Sequence, residues 1–336
     1  MRIVFVTPEV MPFSKTGGLA DVAGALPRAL TDLGHEVAIV TPLYAAARDA
    51  AEDMDIKLSK VRDSDFSFHV GDTEAEGSVV RAKLPNSKVP VFFLRNEHYY
   101  GRPGLYVDSR DNKDYPDNPE RFIFLSRGAF EACRKMDFEA DIFHFHEWQT
   151  ALLPHYLHHL YRRSFRESAS VLTIHNLAFQ GIFPESVMDL TGLPRDLYNW
   201  KVLEYYGKMS FLKGGIVGAD KVTTVSPSYA KEIQTEEFGR GLEGVIAEHA
   251  ADLHGIVNGV DYETWSPEED DFLPATYSPK DMSGKDKCKE ALQKEANLPQ
   301  DDQLPLVGMI GRLEDQKGFD LVAEALDELA QLDMQL

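Results

Sequence analysis

Residues Ile3–Val6 form an unbroken apolar run inside MRIVFVTPEV. A strand that is apolar at every position has both faces covered, the condition of a parallel strand in an α/β layer. Leu19, Val22, Leu26, Leu30 and Leu33 then recur at helical spacing, so one face of a helix packs on that sheet. Pro27 falls inside this helix and is expected to kink it or mark an irregular stretch. Gly34 suits the position just past a helix, and HEVAIVTP (35–42) reads as the next strand. These pieces make a βαβ unit with a right-handed crossover.

Further strands are expected at KVPVFFL (88–94), DIFHFH (141–146), SVLTIH (170–175) and KVTTVS (221–226), with helices over 120–136 and 150–164. Short apolar strands alternating with longer amphipathic helices predict an α/β fold with a doubly wound, Rossmann-like sheet. Residues 44–87 are charged, and the pattern does not order their elements. With 336 residues the chain exceeds one ordinary domain. The first domain is expected over residues 1–258. A linker region rich in Pro, Asp, Ser and Lys falls within 259–303, with a short helix over 287–297. LPLVGMIG (304–311) reads as a new strand, followed by a loop and a helix, so 304–336 is the incomplete start of a second Rossmann-like domain. One βα unit cannot bury a core alone, and truncation is the expectation.

The 35 basic and 55 acidic residues leave a net charge of −20, a field that repels nucleic acid and anionic membranes. Any anionic ligand must therefore meet a local cluster of cations and backbone N–H groups. Cys133 and Cys288 have no metal or redox spacing, which fits a reducing, cytoplasmic setting. The first apolar run is too short for a signal segment, and no uncharged stretch approaches the ~20 residues that span a bilayer. A homo-oligomer is compatible with all of this, and nothing in the sequence decides it.

The turn KTGG (15–18) lies at the carboxyl end of the first strand, where open α/β sheets bind ligands. Gly17 and Gly18 permit close backbone approach, and Lys15 suits a phosphate oxygen. A tight turn with a solvated lysine accounts for the same residues equally well. In GRLEDQKG (311–318), Arg312 and Lys317 stand near a helix start, so both can reach a diphosphate, or pair with neighbouring carboxylates instead. Two strand ends carrying cations suggest an anionic ligand in an interdomain cleft. HFHEWQT (144–150) places His146 and Glu147 at a strand end, and TIHN (173–176) places His175 at another. His155 and His159 have i, i+4 spacing but no H-E-x-x-H, so packing or exposed roles outweigh a metal site. Asn258-Gly259 reads as a turn. Hydrolase signatures are missing from the sequence.

Taken in order, KTGGLADV (15–22), GHEV (34–37), HEWQTAL (146–152), TIHNLAFQG (173–181), TVSPSYAKEI (224–233), GIVNGVD (255–261) and GRLEDQKG (311–318) resemble the bacterial glycogen synthase and plant starch synthase family. The resemblance implies a GT-B glycosyltransferase that moves glucose from ADP-glucose to the non-reducing end of an α-1,4-glucan, such as glycogen. It implies retention of configuration and no metal or other cofactor. By the same resemblance Lys15, with Gly17 and Gly18, approaches the diphosphate–sugar region and His175 contacts the transferred glucose. Arg312 and Lys317 neutralise the leaving ADP, Asn258 lies near the reacting centre, and Asp21 holds an acidic position of the motif. His146 and Glu147 fall in the substrate-binding segment, where Glu147 replaces the aspartate of H-D-W and reaches one methylene further. The family's E-x7-E region lies beyond Leu336, so the chain alone is expected to be inactive. Other readings are a non-catalytic α-glucan-binding fragment and a related GT-B transferase using another nucleotide sugar.

Overall fold

The computed structural model describes residues 1–311, 313 and 315–336. Arg312, a residue of the expected site, lies outside the described residues. The chain divides into two compact units, Met1–Asn258 and Gly259–Leu336.

The first unit is built on a ten-stranded sheet. Its early strands are β1 (Arg2–Val6), β2 (Glu36–Pro42), β3 (Ser59–Lys60), β4 (Phe66–Val70), β5 (Thr73–Lys83) and β6 (Pro90–Arg95). A small hairpin follows, β7 (Val107–Asp108) against β8 (Lys113–Asp114). The large sheet resumes with β9 (Ile142–His146) and β10 (Ala169–Ile174). A separate three-stranded sheet joins β11 (Ile182–Pro184), β12 (Glu204–Tyr205) and β13 (Lys208–Ser210), and the large sheet ends with β14 (Lys221–Thr224) and β15 (Leu253–Gly255). Its order is β15-β14-β10-β9-β1-β2-β6-β5-β3, with β4 also on β5. From β15 to β6 every pairing is parallel, whereas β5 runs antiparallel to β6.

The sheet grows outward from β1 through β2 to β6, then restarts on the other side of β1 at β9. The order therefore reverses between β1 and β9, and in open α/β sheets ligands bind outside the strand ends at that reversal. Helices α1 (Gly18–Asp32), α2 (Ala45–Asp53), α3 (Glu97–Tyr100) and α4 (Asn118–Lys135) belong to the first half. Val4, Phe5, Val6, Phe143 and Phe145 are fully buried, as strands covered on both faces require. Helix α4 is buried around most of its circumference, and even Arg121 is enclosed. Its guanidinium donates to the carbonyls of Tyr99 and Leu105 and to the side chain of Asn118, so the charge is buried with its donors satisfied.

Helix α1 continues through Pro27, which is buried in it. Several expectations change. The stretch 150–164 is not one helix: a 3-10 turn Trp148–Thr150 leads to α-helical Leu153–Tyr156, with Pro154 in its first turn, and then a π-helical turn Leu157–Tyr161. In the second unit, LPLVGMIG makes one parallel bridge, Leu306 with Gln335, and Ile310 is fully exposed. A parallel strand needs flanking strands, and the described residues of this unit offer it only Gln335. The linker region carries the helix Ser283–Glu295, and the last helix is split into Phe319–Glu324 and Leu326–Leu329. Among the described residues no helix is long and apolar enough to cross a membrane.

Helix α1 approaches the β1–α1 connection closely: Met11 N–H donates to the Ala20 carbonyl, and a Cβ built on Gly24 stands 2.9 Å from the Met11 carbonyl oxygen. Helix propensity alone favours Gly24→Ala by ~1 kcal/mol. The contact with backbone predicts a net destabilisation of ~1–3 kcal/mol instead, measured by urea unfolding. A stabilised variant would show that α1 does not sit this close.

Candidate active site

Two loops leave the sheet at its reversal, one after β1 and one after β9, and a buried carboxylate organises each. After β1 the chain turns at Thr7, whose hydroxyl donates to the Glu9 carbonyl. Glu9 is buried at 3% exposure. Its carboxylate accepts the Thr16 N–H at 2.5 Å, the Thr16 hydroxyl at 2.6 Å, the Gly17 N–H at 3.3 Å and the Tyr106 hydroxyl at 2.5 Å. The KTGG turn is thus folded around an acid from its own chain. Lys15 points elsewhere: its Nζ meets Asp21 Oδ1 at 2.7 Å, both side chains being more than a third exposed. Such a surface pair contributes ~0–1 kcal/mol and is readily exchanged for a ligand.

Gly17 has an extended backbone, with φ −156°, and a Cβ added at Gly17 or Gly18 would meet nothing within 4 Å. Neither the backbone angle at Gly17 nor crowding by the chain requires glycine here. What the pair leaves is open space beside backbone at a strand end.

Across the reversal, β9 places Phe143 and Phe145 in the core and turns His144 and His146 to the other face. His146 stacks on Phe5 with ring centroids 5.4 Å apart, and its Nδ1 shares a hydrogen bond of 3.1 Å with His175 Nε2. His144 Nε2 bonds the Thr173 hydroxyl at 2.6 Å. Burial drives His144 down to about 3 and His175 down to about 4, and takes His146 well below its ordinary value, with the neighbouring imidazoles adding to it. All three rings are neutral at pH 7. The buried Nε2 of His146 has no partner. An orphaned N–H costs more than an idle acceptor, so the His146 proton belongs on Nδ1, donated to His175. His175 then carries its own proton on Nδ1, unshared within the described chain.

Glu147 follows with φ 63° and ψ 178°, a conformation that almost only glycine adopts, at a cost of ~1–3 kcal/mol. Three bonds impose it. Its N–H donates to the Thr173 carbonyl, and its Oε1 accepts the N–H groups of His175 at 2.5 Å and Asn176 at 3.0 Å. Burial pushes the carboxyl up to about 7, opposed by those two N–H groups and aided by the charge of Glu9. Oε2 takes no bond among the described residues. The neutral His175 donor and this carboxylate oxygen are the complement of a hydroxylated ligand.

His146, Glu147 and His175 are therefore brought together, with Lys15, Gly17, Gly18 and Asp21 around the adjacent strand end. No hydrogen bond or ion pair among the described residues joins Asn258 to them: it sits exposed, three residues past β15, in chain without regular structure. Lys317 is exposed at the end of a 3-10 turn, Asp315–Lys317, in the second unit. His155 is a core residue bonding the Gly214 carbonyl, and no cluster of three metal-capable side chains occurs among the described residues. Sequence reading missed Glu9, Tyr106 and Tyr229, whose hydroxyl oxygen accepts the Leu177 N–H behind the TIHN loop. The signal for Glu9 was a lone acid three residues after a strand buried from Ile3 to Val6.

Residues 2–248 match the family described as the starch synthase catalytic domain. The chain belongs to this family of glycosyltransferases. Similar proteins include a glycogen synthase of an Anaeromyxobacter species, 44% identical over the whole chain and 68% of its own length. The glycogen synthase of Thermosipho africanus is 40% identical with the same coverage. Among solved structures, the catalytic domain of starch synthase IV from Arabidopsis thaliana, bound to ADP and acarbose, superposes with a TM-score of 0.85 at 30% identity. That match covers 99% of this chain and 67% of the other. The chain thus spans about two thirds of its starch and glycogen synthase relatives, and the GT-B fold expected from its motifs is the fold of the family.

The buried imidazoles make stability pH-dependent. Their folded values lie below the unfolded one, so their contribution is complete above about pH 6.5 and is lost as pH falls. Glu147 works in the opposite sense, its raised value lowering stability as pH rises from the unfolded carboxyl range to about 7. With His155, which burial also lowers to about 4, four imidazoles outweigh this one carboxyl, so unfolding free energy should rise from pH 5 to 6.5. His144→Gln should flatten that slope by about one proton, or ~1.4 kcal/mol per pH unit. An unchanged slope would mean that His144 is solvated.

Proposed function

We propose that this chain is the acceptor-side part of a glucosyltransferase that moves glucose from ADP-glucose to the non-reducing end of an α-1,4-glucan, with retention. The observation that carries the reading is the pair Gly17–Gly18 at the sheet's reversal, a place where the chain itself leaves room for something else to come close. The names of the relatives and the ADP and acarbose in the Arabidopsis neighbour support the choice of substrates.

In this reading the glucosyl ring lies against His175 Nδ1–H and Glu147 Oε2, with His146 holding the His175 tautomer. Lys15 leaves Asp21 to meet the diphosphate. Cleavage of the C1–O bond puts negative charge on the departing phosphate, which Lys15, Arg312 and Lys317 stabilise electrostatically. Asn258 is assigned to the same centre by the family resemblance alone. The acceptor hydroxyl attacks C1 from the face the phosphate leaves, and its proton passes to a phosphate oxygen. No carboxylate nucleophile is assigned, in contrast to the double displacement usual for retention. Residues 1–258 form the acceptor-side domain, 259–303 the linker and 304–336 the opening of the nucleotide-sugar domain. The reading places the reaction in the cytoplasm and assigns it no metal.

The test joins residues 1–336 to the carboxyl-terminal third of the Anaeromyxobacter relative and supplies radiolabelled ADP-glucose and glycogen. Label should enter glycogen in amylase-releasable form. Lys15→Ala should lower the rate by roughly 10²–10³-fold without changing the urea midpoint. An unchanged rate removes Lys15 from the site. Absence of transfer, where the Anaeromyxobacter enzyme itself transfers, contradicts the reading.

A further inference from the structure

The Glu9 carboxylate occupies a place that the sequence pattern assigns to a ligand. A glycine turn opening a helix at a strand end ordinarily offers its N–H groups to an anion. Here the Thr16 and Gly17 N–H groups both point at Glu9 Oε2, while the Thr16 and Tyr106 hydroxyls donate to Oε1. Four donors match the roughly four lone-pair sites of an ionised carboxylate. Charge-assisted bonds of this kind are the strong ones, and Glu9 is enclosed where water does not compete. Behind it, Tyr106 belongs to the segment between α3 and α4. That segment is tied down at Tyr106 and the residue before it: Arg121 donates to the Leu105 carbonyl, and Asn118 Nδ2 donates to the carbonyl of Tyr106 itself. The chain of contacts runs from the buried Arg121 to the residue next to Lys15.

We propose that Glu9 is a positioning residue: it fills the Lys15–Gly17 turn as a built-in anion, braced by Tyr106, and so fixes the direction in which Lys15 meets the donor. The proposal rests on Lys15 acting at the donor. The Thr16 and Gly17 N–H groups are not offered to a phosphate, because Glu9 takes both. Lys15 is then the group through which this turn meets a diphosphate, and its place depends on an acid that never touches substrate.

The geometry separates the variants. In Glu9→Gln the amide oxygen keeps both backbone N–H groups, and the two hydroxyls rotate to accept from the amide nitrogen, so the turn is held. In Glu9→Ala all four donors lose their partner, and formate, a carboxylate small enough for the vacated space, restores it. The experiment titrates ADP-glucose into this chain by saturation-transfer difference NMR, in wild type, Glu9→Gln, Glu9→Ala and Lys15→Ala, and in the Glu9→Ala/Lys15→Ala double variant. Glu9→Ala should weaken binding about tenfold, the weight of one charged hydrogen bond, with Glu9→Gln close to wild type. Formate should restore Glu9→Ala only where Lys15 is present, and the double variant should be no weaker than Lys15→Ala.

A tenfold loss that adds to that of Lys15→Ala, or one that formate does not reverse, overturns the positioning role. Wild-type binding by Glu9→Ala beside a weakened Lys15→Ala overturns it as well. Full binding by Lys15→Ala is the separate failure, that of the donor reading itself. If Glu9→Ala does not fold, Tyr106→Phe decides: it removes one donor from the far side of Glu9. Its few-fold loss should vanish in a Lys15→Ala background, and an equal loss in both backgrounds overturns the proposal.

Discussion

The Glu147 carboxylate bridging two strand ends is the constraint on which the rest of this site depends. Its Oε1 gathers the N–H groups of His175 and Asn176, and in doing so it joins the end of β9 to the loop after β10. Holding it there demands a glycine-like backbone, a strain that three hydrogen bonds offset. The same enclosure raises the carboxyl to about 7 and keeps the imidazoles neutral. Neutral rings and a half-titrated acid give the strand ends donors and acceptors without fixed charge. That character suits sugar hydroxyls, and under the proposed reading it leaves the charge of the diphosphate to Lys15 and to cations elsewhere.

Glu9 repeats the device one strand away. Both acids lie buried just past the ends of neighbouring parallel strands, both accept backbone N–H groups, and the charge of Glu9 helps raise the Glu147 carboxyl. Each converts a loop that would otherwise present free N–H groups into a fixed platform. The parallel sheet makes this arrangement available: β1 and β9 are in register, so their ends fall side by side at the reversal of strand order.

Much of this was legible in the sequence because the signals are local. The all-apolar Ile3–Val6, the helical spacing from Leu19 to Leu33 and the strand HEVAIVTP fixed a βαβ unit, since burial on both faces leaves a parallel strand no polar position. His146, Glu147 and His175 were found because polar residues at the end of buried strands stand out. Elements whose form depends on partners were less legible. Residues 150–164 carry a helical pattern, yet Pro154 and the close approach of Ala151 to Gly215 break it into three pieces. LPLVGMIG has strand composition but, among the described residues, no sheet to join. Glu9 escaped because its role is defined by Thr16, Gly17 and Tyr106, the last of them 97 positions away.

The most direct measurement is a crystal structure of this chain with ADP-glucose bound. A glucosyl ring with hydroxyls about 2.7–3.2 Å from His175 Nδ1 and Glu147 Oε2, beside the open faces of Gly17 and Gly18, is the predicted result. A ring bound elsewhere on the chain, with the ends of β1 and β9 holding only water, would contradict the account.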